Sequence, residues 1–364
     1  MDMGNRLGIL LLSRFYLNKH TFDQYAIETK YTGTNMRKVL HVGPCNTPGG
    51  MAKVIEILSK NPPAGWTATT WQSHKIGNPI GKYLHHKKMI KTFRKLIATS
   101  EKPDLVHIHT AADWSWRRKS EYVKLCNIYS IPCVVHIHSG KFSQWLGNKS
   151  SKNVISFTTI VNFSQCKVVV LTKGWQNELS NLIGQCSVIN NPVDPSLKFT
   201  NTIRNEKQIV MLGRYGKVKG HEFAAKLLQK LRQEYDPEIS MVMTGTNKFN
   251  IDGLECHRWL SEKEKTKIME SSGILIVPSQ YEGQPMVMLE GMQFGMNCLV
   301  SDQIIDRPNL VNSAKYGDID EWFNSVISIL EHSGDKNEIK AVANQFNIVN
   351  INRQWHELYQ SLSD

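Results

Sequence analysis

Short apolar runs recur along the chain, each bounded by Gly, Pro, Ser or Asn and followed by a longer stretch of mixed polarity. In the first half they are KVLHV (38–42), TATTW (67–71), LVHIH (105–109), CVVHIH (133–138), KVVVLT (167–172) and SVIN (187–190). The second half repeats the scheme with QIVMLG (208–213), ISMVMTG (239–245), GILIVPS (273–279) and CLVSD (298–302). Stretches such as 50–60, 83–98 and 117–128 carry apolar residues at helical spacing between the runs. Runs that stay apolar without alternating predict strands buried on both faces, hence parallel sheets covered by helices. Two such series predict an α/β fold of two doubly wound parallel-sheet domains facing each other across a cleft.

The joint is expected near NNPVDPSLKF (190–199), which is rich in Pro and Asn. That gives an N-terminal domain over 36–194 and a C-terminal domain over 195–349. Residues 1–35 are unlike the rest of the chain, and MRKVLHV from Met36 is a plausible protein start, so 1–35 is expected to be an extension outside the fold. Its run LGILLL (7–12) is too short to span a bilayer and meets Arg14 at once.

Composition narrows the class. With 41% hydrophobic and 21% charged residues, the chain reads as globular rather than disordered or fibrous. Seven scattered Cys without a CxxC pair predict reduced thiols in a cytosol, and neither a disulfide framework nor a zinc site. The net charge of +12 is uneven: residues 36–194 hold 21 Lys and Arg against 7 Asp and Glu, whereas 195–364 hold 19 against 22. KYLHHKKMIKTFRKLIATSEK (82–102) concentrates the excess, with Ile90, Phe93 and Ile97 marking a packed face beneath the cations. Such a field attracts an anionic membrane surface. Nucleic acid is not expected, because no reading motif and no interleaved stacking aromatics accompany the charge.

Ligands of open α/β sheets sit beyond the carboxyl ends of the strands. There, GPCNTPGGMAK (43–53) puts Gly49 and Gly50 at a strand-to-helix junction, where bare backbone can approach an anion. GRYGKVKG (213–220) puts Arg214 and Lys219 at the edge of the second sheet, a planar fork and a point charge suited to a diphosphate. EGQPMVMLE (282–290) brackets a helix start with two carboxylates. HIHSG (136–140) ends a strand in His136 and His138, which alternation puts on one face.

GRYGKVKG followed by VPSQYEGQPMVMLEG (277–291) resembles the nucleotide-sugar-dependent retaining glycosyltransferases of family four, which have the GT-B fold. VGPCNTPGGMAK, PDLVHIHT, VVHIHSG and VINNPVD extend the resemblance from about Met36 to the end, where an amphipathic helix (350–362) is similar to the one that crosses back to the first domain. The chain departs from the pattern where the first acid lacks a following Phe-Gly pair and where QIIDRPNL lacks a glycine pair.

The resemblance implies roles. Glu290 would accept hydrogen bonds from the ribose hydroxyls, and Glu282 would face the transferred sugar. Gly283, Gln284, Pro285, Met286 and Val287 would offer the sugar or phosphate a helix start. Arg214 and Lys219 would hold the diphosphate, His138 would face the donor sugar from the other domain, and Gly49 and Gly50 would approach phosphate and acceptor. It implies no metal or other cofactor. The expected reaction moves a sugar, with retained configuration, from a nucleotide-diphosphate sugar, UDP being the expected carrier, to a lipid-linked or surface-polysaccharide acceptor. The enzyme would be cytoplasmic and peripheral at the inner face of the cell membrane. A nucleotide-sugar epimerase or phosphorylase on the same fold, or a silent basic binding protein, are the alternatives.

Overall fold

The computed structural model describes residues 36–197 and 203–363. The expected extension over 1–35 lies outside the described residues. Two six-stranded sheets form the frame, and every strand pair within them is parallel.

The first sheet has the order β2-β1-β3-β4-β5-β6. Its strands are β1 (Arg37–Gly43), β2 (Trp66–Gln72), β3 (Leu105–Thr110), β4 (Cys133–Ile137), β5 (Cys166–Val170) and β6 (Ser187–Val188). The second has the order β12-β11-β10-β7-β8-β9. It comprises β7 (Asn205–Met211), β8 (Ser240–Thr244), β9 (Leu254–His257), β10 (Ser272–Val277), β11 (Asn297–Ser301) and β12 (Asn312–Ala314). The expected runs all become strands. β9 and β12 were not expected, because LECH and NSA are short edge strands of half-exposed or polar residues, with no apolar run.

The central strands β3, β4, β10 and β11 are buried at every position, as a sheet covered on both faces demands. Helices supply the covers. Helix α1 (Gly50–Lys60) begins directly on the double glycine, and α2 (Pro79–Ile97) is started by the Asn78 side chain accepting from the Gly81 N–H, with Pro79 at its first position. Helix α3 (Trp114–Ile128) packs beside α2. In the second half, α8 (Glu262–Ser271) opens on a capping box between Ser261 and Glu264, and α9 (Met286–Gln293) has Pro285 as its N-cap.

The last helix, α12 (Ile348–Ser363), closes the chain on the first half. Its Ile351, Trp355, Tyr359 and Leu362 are buried with Val39, Val54, Trp66, Leu105 and Val134 in one apolar cluster. A helix is therefore present where one was expected at 350–362, and it packs on residues of the first half. At the joint, Asn191 grips the second half: its N–H donates to Gln284 Oε1 at 2.7 Å and its side-chain amide to the Gln284 carbonyl at 3.0 Å.

Candidate active site

Parallel strands deliver their carboxyl ends to one edge, and here the two edges face each other over a cleft of about 690 Å³. The twelve residues expected to form a site, from Gly49 to Glu290, all border it. Two loops bring the halves together. A Cβ on Gly140 would lie 2.2 Å from the Glu282 carbonyl oxygen, and one on Gly283 would lie 2.4 Å from the His138 carbonyl oxygen. Only glycine permits this approach, which sets HIHSG directly against the first acid. The Trp175 indole locks the same loop by donating to the Gly283 carbonyl at 2.8 Å.

The two acids sit in different surroundings. Glu282, with 17% of its side chain exposed, is ion-paired to Lys219. The pairing depends on the short 3-10 turn Lys217–Lys219, which folds the basic loop back over the strand ends. Glu290 lies one turn into α9, with 4% of its side chain exposed, and Lys265 Nζ stands 3.1 and 3.2 Å from its two oxygens. Burial raises the pKa of Glu290, against the pull of the Lys265 ammonium. Lys265 is itself desolvated, but Glu290 and Glu262 outweigh that and raise its pKa.

Arg214 is exposed, and its guanidinium lies over Gly49, about 3.5 Å from where a Cβ would stand. Gly49 has φ of 135°, so a side chain there would be strained as well as crowded. Gly50 faces Met286, whose side chain joins the apolar cluster of the first half. Gln284 is turned to the joint rather than the cleft, through its two bonds with Asn191. Pro285 carries no N–H, so the donors at the helix start fall to Met286 and Val287.

Behind the opposite wall, five imidazoles line up across neighbouring strands, and of these His138 borders the cleft. His138 Nε2 lies 2.9 Å from His109 Nδ1, and His109 Nε2 lies 3.0 Å from His41 Nδ1. His136 Nδ1 lies 3.1 Å from His107 Nε2, and His107 Nδ1 lies 2.7 Å from the Tyr359 hydroxyl of α12. The parallel register explains the bank, since His41 pairs with His107 and His109 with His136. Burial holds His41 and His138 down to about 3, the Lys119 ammonium adding to the effect at His138. His107, His109 and His136 are also held well below the usual imidazole range by burial. All five are neutral at physiological pH. Lys119, almost wholly buried, is brought down to about 7 by desolvation and by Arg118.

Sequence reasoning did not single out Lys53, Glu262 or Lys265. Lys53 of α1 reaches Asp194 at the joint at 2.7 Å and Glu262 of α8 at 3.5 Å. Lys265 reaches Glu262 at 2.9 Å. In sequence, SEKEKTK has the look of a solvated, well-capped helix start, and only the cleft distinguishes Lys265 from its neighbours.

Comparison with known proteins agrees with this architecture. Residues 57–197 match the family model Glycosyltransferase Family 4, and residues 194–340 match Glycosyl transferases group 1. An uncharacterized glycosyltransferase of Methanocaldococcus jannaschii is 22% identical over 233 residues, which is 55% of this chain and 58% of that protein. This chain thus spans somewhat over half the length of that relative. Among solved structures, the sucrose-phosphate synthase of Thermosynechococcus elongatus superposes with a TM-score of 0.67 at 15% identity, covering 90% of this chain and 99% of the other. The catalytic domain of starch synthase IV from Arabidopsis thaliana, solved with ADP and acarbose, gives 0.63 at 12% identity over 91% and 100%. Matched by these two models in its two halves and folded as two facing parallel sheets, the chain belongs to the glycosyltransferases that they describe and has the GT-B fold.

Proposed function

We propose that the enzyme transfers a sugar, with retained anomeric configuration, from a nucleotide-diphosphate sugar to a glycan acceptor. The observation that carries this reading is the shared cleft: two carboxylates, Glu282 and Glu290, and two cations, Arg214 and Lys219, stand across from His138 and the Gly49–Gly50 turn. A buried carboxylate is an acceptor-only group and suits the two hydroxyls of a ribose. The cations suit a diphosphate, with Lys219 exchanging its Glu282 partner for phosphate oxygen when the donor arrives. In the reaction the anomeric C–O bond to the diphosphate breaks and the acceptor oxygen bonds to that carbon on the same face. The acceptor proton goes to the departing phosphate oxygen. Arg214 and Lys219 stabilise the charge that develops there, so the step calls for no metal ion. Neutral His138 can donate to or accept from a sugar hydroxyl without adding charge.

The donor assignment is tested by incubating the protein with UDP-, GDP- and ADP-sugars and a glycan primer and following the new linkage by NMR, with UDP as the expected carrier. An elongated product with the donor's anomeric configuration is expected. An inverted linkage would end the retaining reading, and release of free sugar phosphate without elongation would favour a phosphorylase.

The acceptor is proposed to be lipid-linked or a surface polysaccharide, reached at an anionic membrane. Helix α2 and its approach expose Ile76, Ile80, Tyr83 and Leu84 by 60% or more beside exposed Lys87, Lys88, Lys91, Arg94 and Lys95. Phe93 and Ile97 on the other face are buried, as the sequence pattern predicted. Trp114 is also exposed, with the Arg117 guanidinium 4.8 Å from its ring centre. Apolar tips among cations suit a bilayer surface, where each cation contributes roughly 1 kcal/mol. None of the helices over the described residues is long and apolar enough to cross a membrane, and the proposed attachment is through this surface, at the cytoplasmic face. Co-sedimentation with phosphatidylglycerol vesicles but not phosphatidylcholine vesicles is expected, and equal sedimentation with neither would remove the membrane from the proposal.

A further inference from the structure

A carboxyl that serves a diol must stay ionised, because protonation converts one acceptor oxygen into a donor. Enclosure works against that, and Glu290 is almost wholly enclosed. The charged groups that face it are Lys265 and Glu262 of α8 and Lys53 of α1. Among them Lys265 alone touches it, and it does so evenly, at 3.1 Å from one oxygen and 3.2 Å from the other. A grip shared between both oxygens uses one lone-pair site on each and leaves one on each, which is what two adjacent hydroxyls require. Lys265 is in turn held by Glu262 at 2.9 Å, and Glu262 lies 3.5 Å from Lys53 on the opposite half. The ammonium is therefore fixed from two sides and cannot simply swing out to solvent.

We infer that Lys265 is a positioning residue: it keeps Glu290 ionised with both oxygens available, and so makes the enzyme select donors with two ribose hydroxyls. The inference rests on the reading of Glu290 as the ribose carboxylate. In direction, Glu290 has its pKa raised by burial and restrained by Lys265, so removing the ammonium raises it further. A protonated Glu290 then prevails at low pH and the ionised form returns as pH rises.

The test measures binding of UDP, GDP and ADP and of their 2′-deoxy counterparts by calorimetry from about pH 6 to about pH 8.5, for wild type, K265M, K265R and E290Q. For the nucleotide that wild type binds, the deoxy form should bind roughly tenfold more weakly, one charge-assisted hydrogen bond being lost. In K265M that preference should vanish at the acid end and return as pH rises, whereas wild type and K265R keep it throughout. E290Q should lack it at every pH. A K265M profile parallel to wild type, with E290Q impaired, would overturn the role of Lys265 and leave the ribose reading standing. Unchanged binding in E290Q, or no binding by wild type, would instead overturn the ribose reading. Should K265M fail to fold, as judged by its thermal transition, K265Q provides the comparison and should shift the preference in the same pH direction.

Discussion

The two walls of the cleft differ in a way that the net charge of their halves does not foretell. Residues 36–194 carry a net charge of +14, yet behind the cleft their strands hold a row of neutral, mutually hydrogen-bonded imidazoles that reaches the cleft at His138, beside Lys53 and Lys141. Residues 195–364 are slightly acidic, yet their strand ends present ionised pairs, Lys219 with Glu282 and Lys265 with Glu290, together with Arg214. Part of the excess of the first half sits on α2, where Lys87, Lys88, Lys91, Arg94 and Lys95 are exposed to solvent. Net charge thus reports on the surface an enzyme shows to a large anionic partner, while the sign of a catalytic wall depends on a few side chains at the tips of strands.

The largest expected effect breaks the comparison at its charged wall. Arg214→Ala should lower kcat by about 10²–10³, the range for losing one donor to developing oxyanion charge, whereas His138→Asn should cost about tenfold, as loss of a neutral hydrogen bond does. Steady-state kinetics on the same donor decides, and equal losses would mean that both walls bear on the leaving group.

A smaller effect sharpens the neutral wall. The five imidazoles have folded pKa values below their unfolded value of about 6.5, with His41 and His138 near 3. Between these values the unfolded chain binds more protons than the folded one, so stability is complete above about pH 6.5 and falls as pH drops. Each imidazole contributes a slope of up to about 1.4 kcal/mol per pH unit in that window. Urea unfolding at several pH values should show a steep acid loss in wild type and a slope reduced by about one proton in His41→Gln. Equal slopes would mean that His41 titrates as if exposed.

The smallest effect concerns the link between the bank and α12. Tyr359→Phe removes the hydroxyl that lies 2.7 Å from His107 Nδ1 and should cost about 1 kcal/mol in stability, with kcat for soluble acceptor unchanged. A large loss of activity would show that the bank takes part in the chemistry and is not only packing.

Much of this was legible before the structure. Apolar runs such as GILIVPS and CLVSD specify buried strands because a continuous apolar segment bounded by turn residues has few other ways to be satisfied. The acids at 282 and 290 announced themselves by their spacing around a Pro-opened helix, and Gly49–Gly50 by position after a strand. LECH and NSA were not legible, because edge strands need only one partner and bury little. Lys265 and Lys53 were not legible either. Each is one cation among many on a helix, and nothing local separates a solvated lysine from one aimed at a buried carboxylate 25 residues away.

By itself, then, the sequence determined the two-sheet frame, the cleft between strand ends, and the residue types that border it, because hydrophobic period and turn chemistry act over short distances. Tertiary structure alone decided the partners: Lys219 on Glu282, Lys265 on Glu290, and His138 at the end of a hydrogen-bonded row. Those pairings depend on distances between segments far apart in the chain and on burial that sets each group's charge, and neither quantity exists until the sheets have packed.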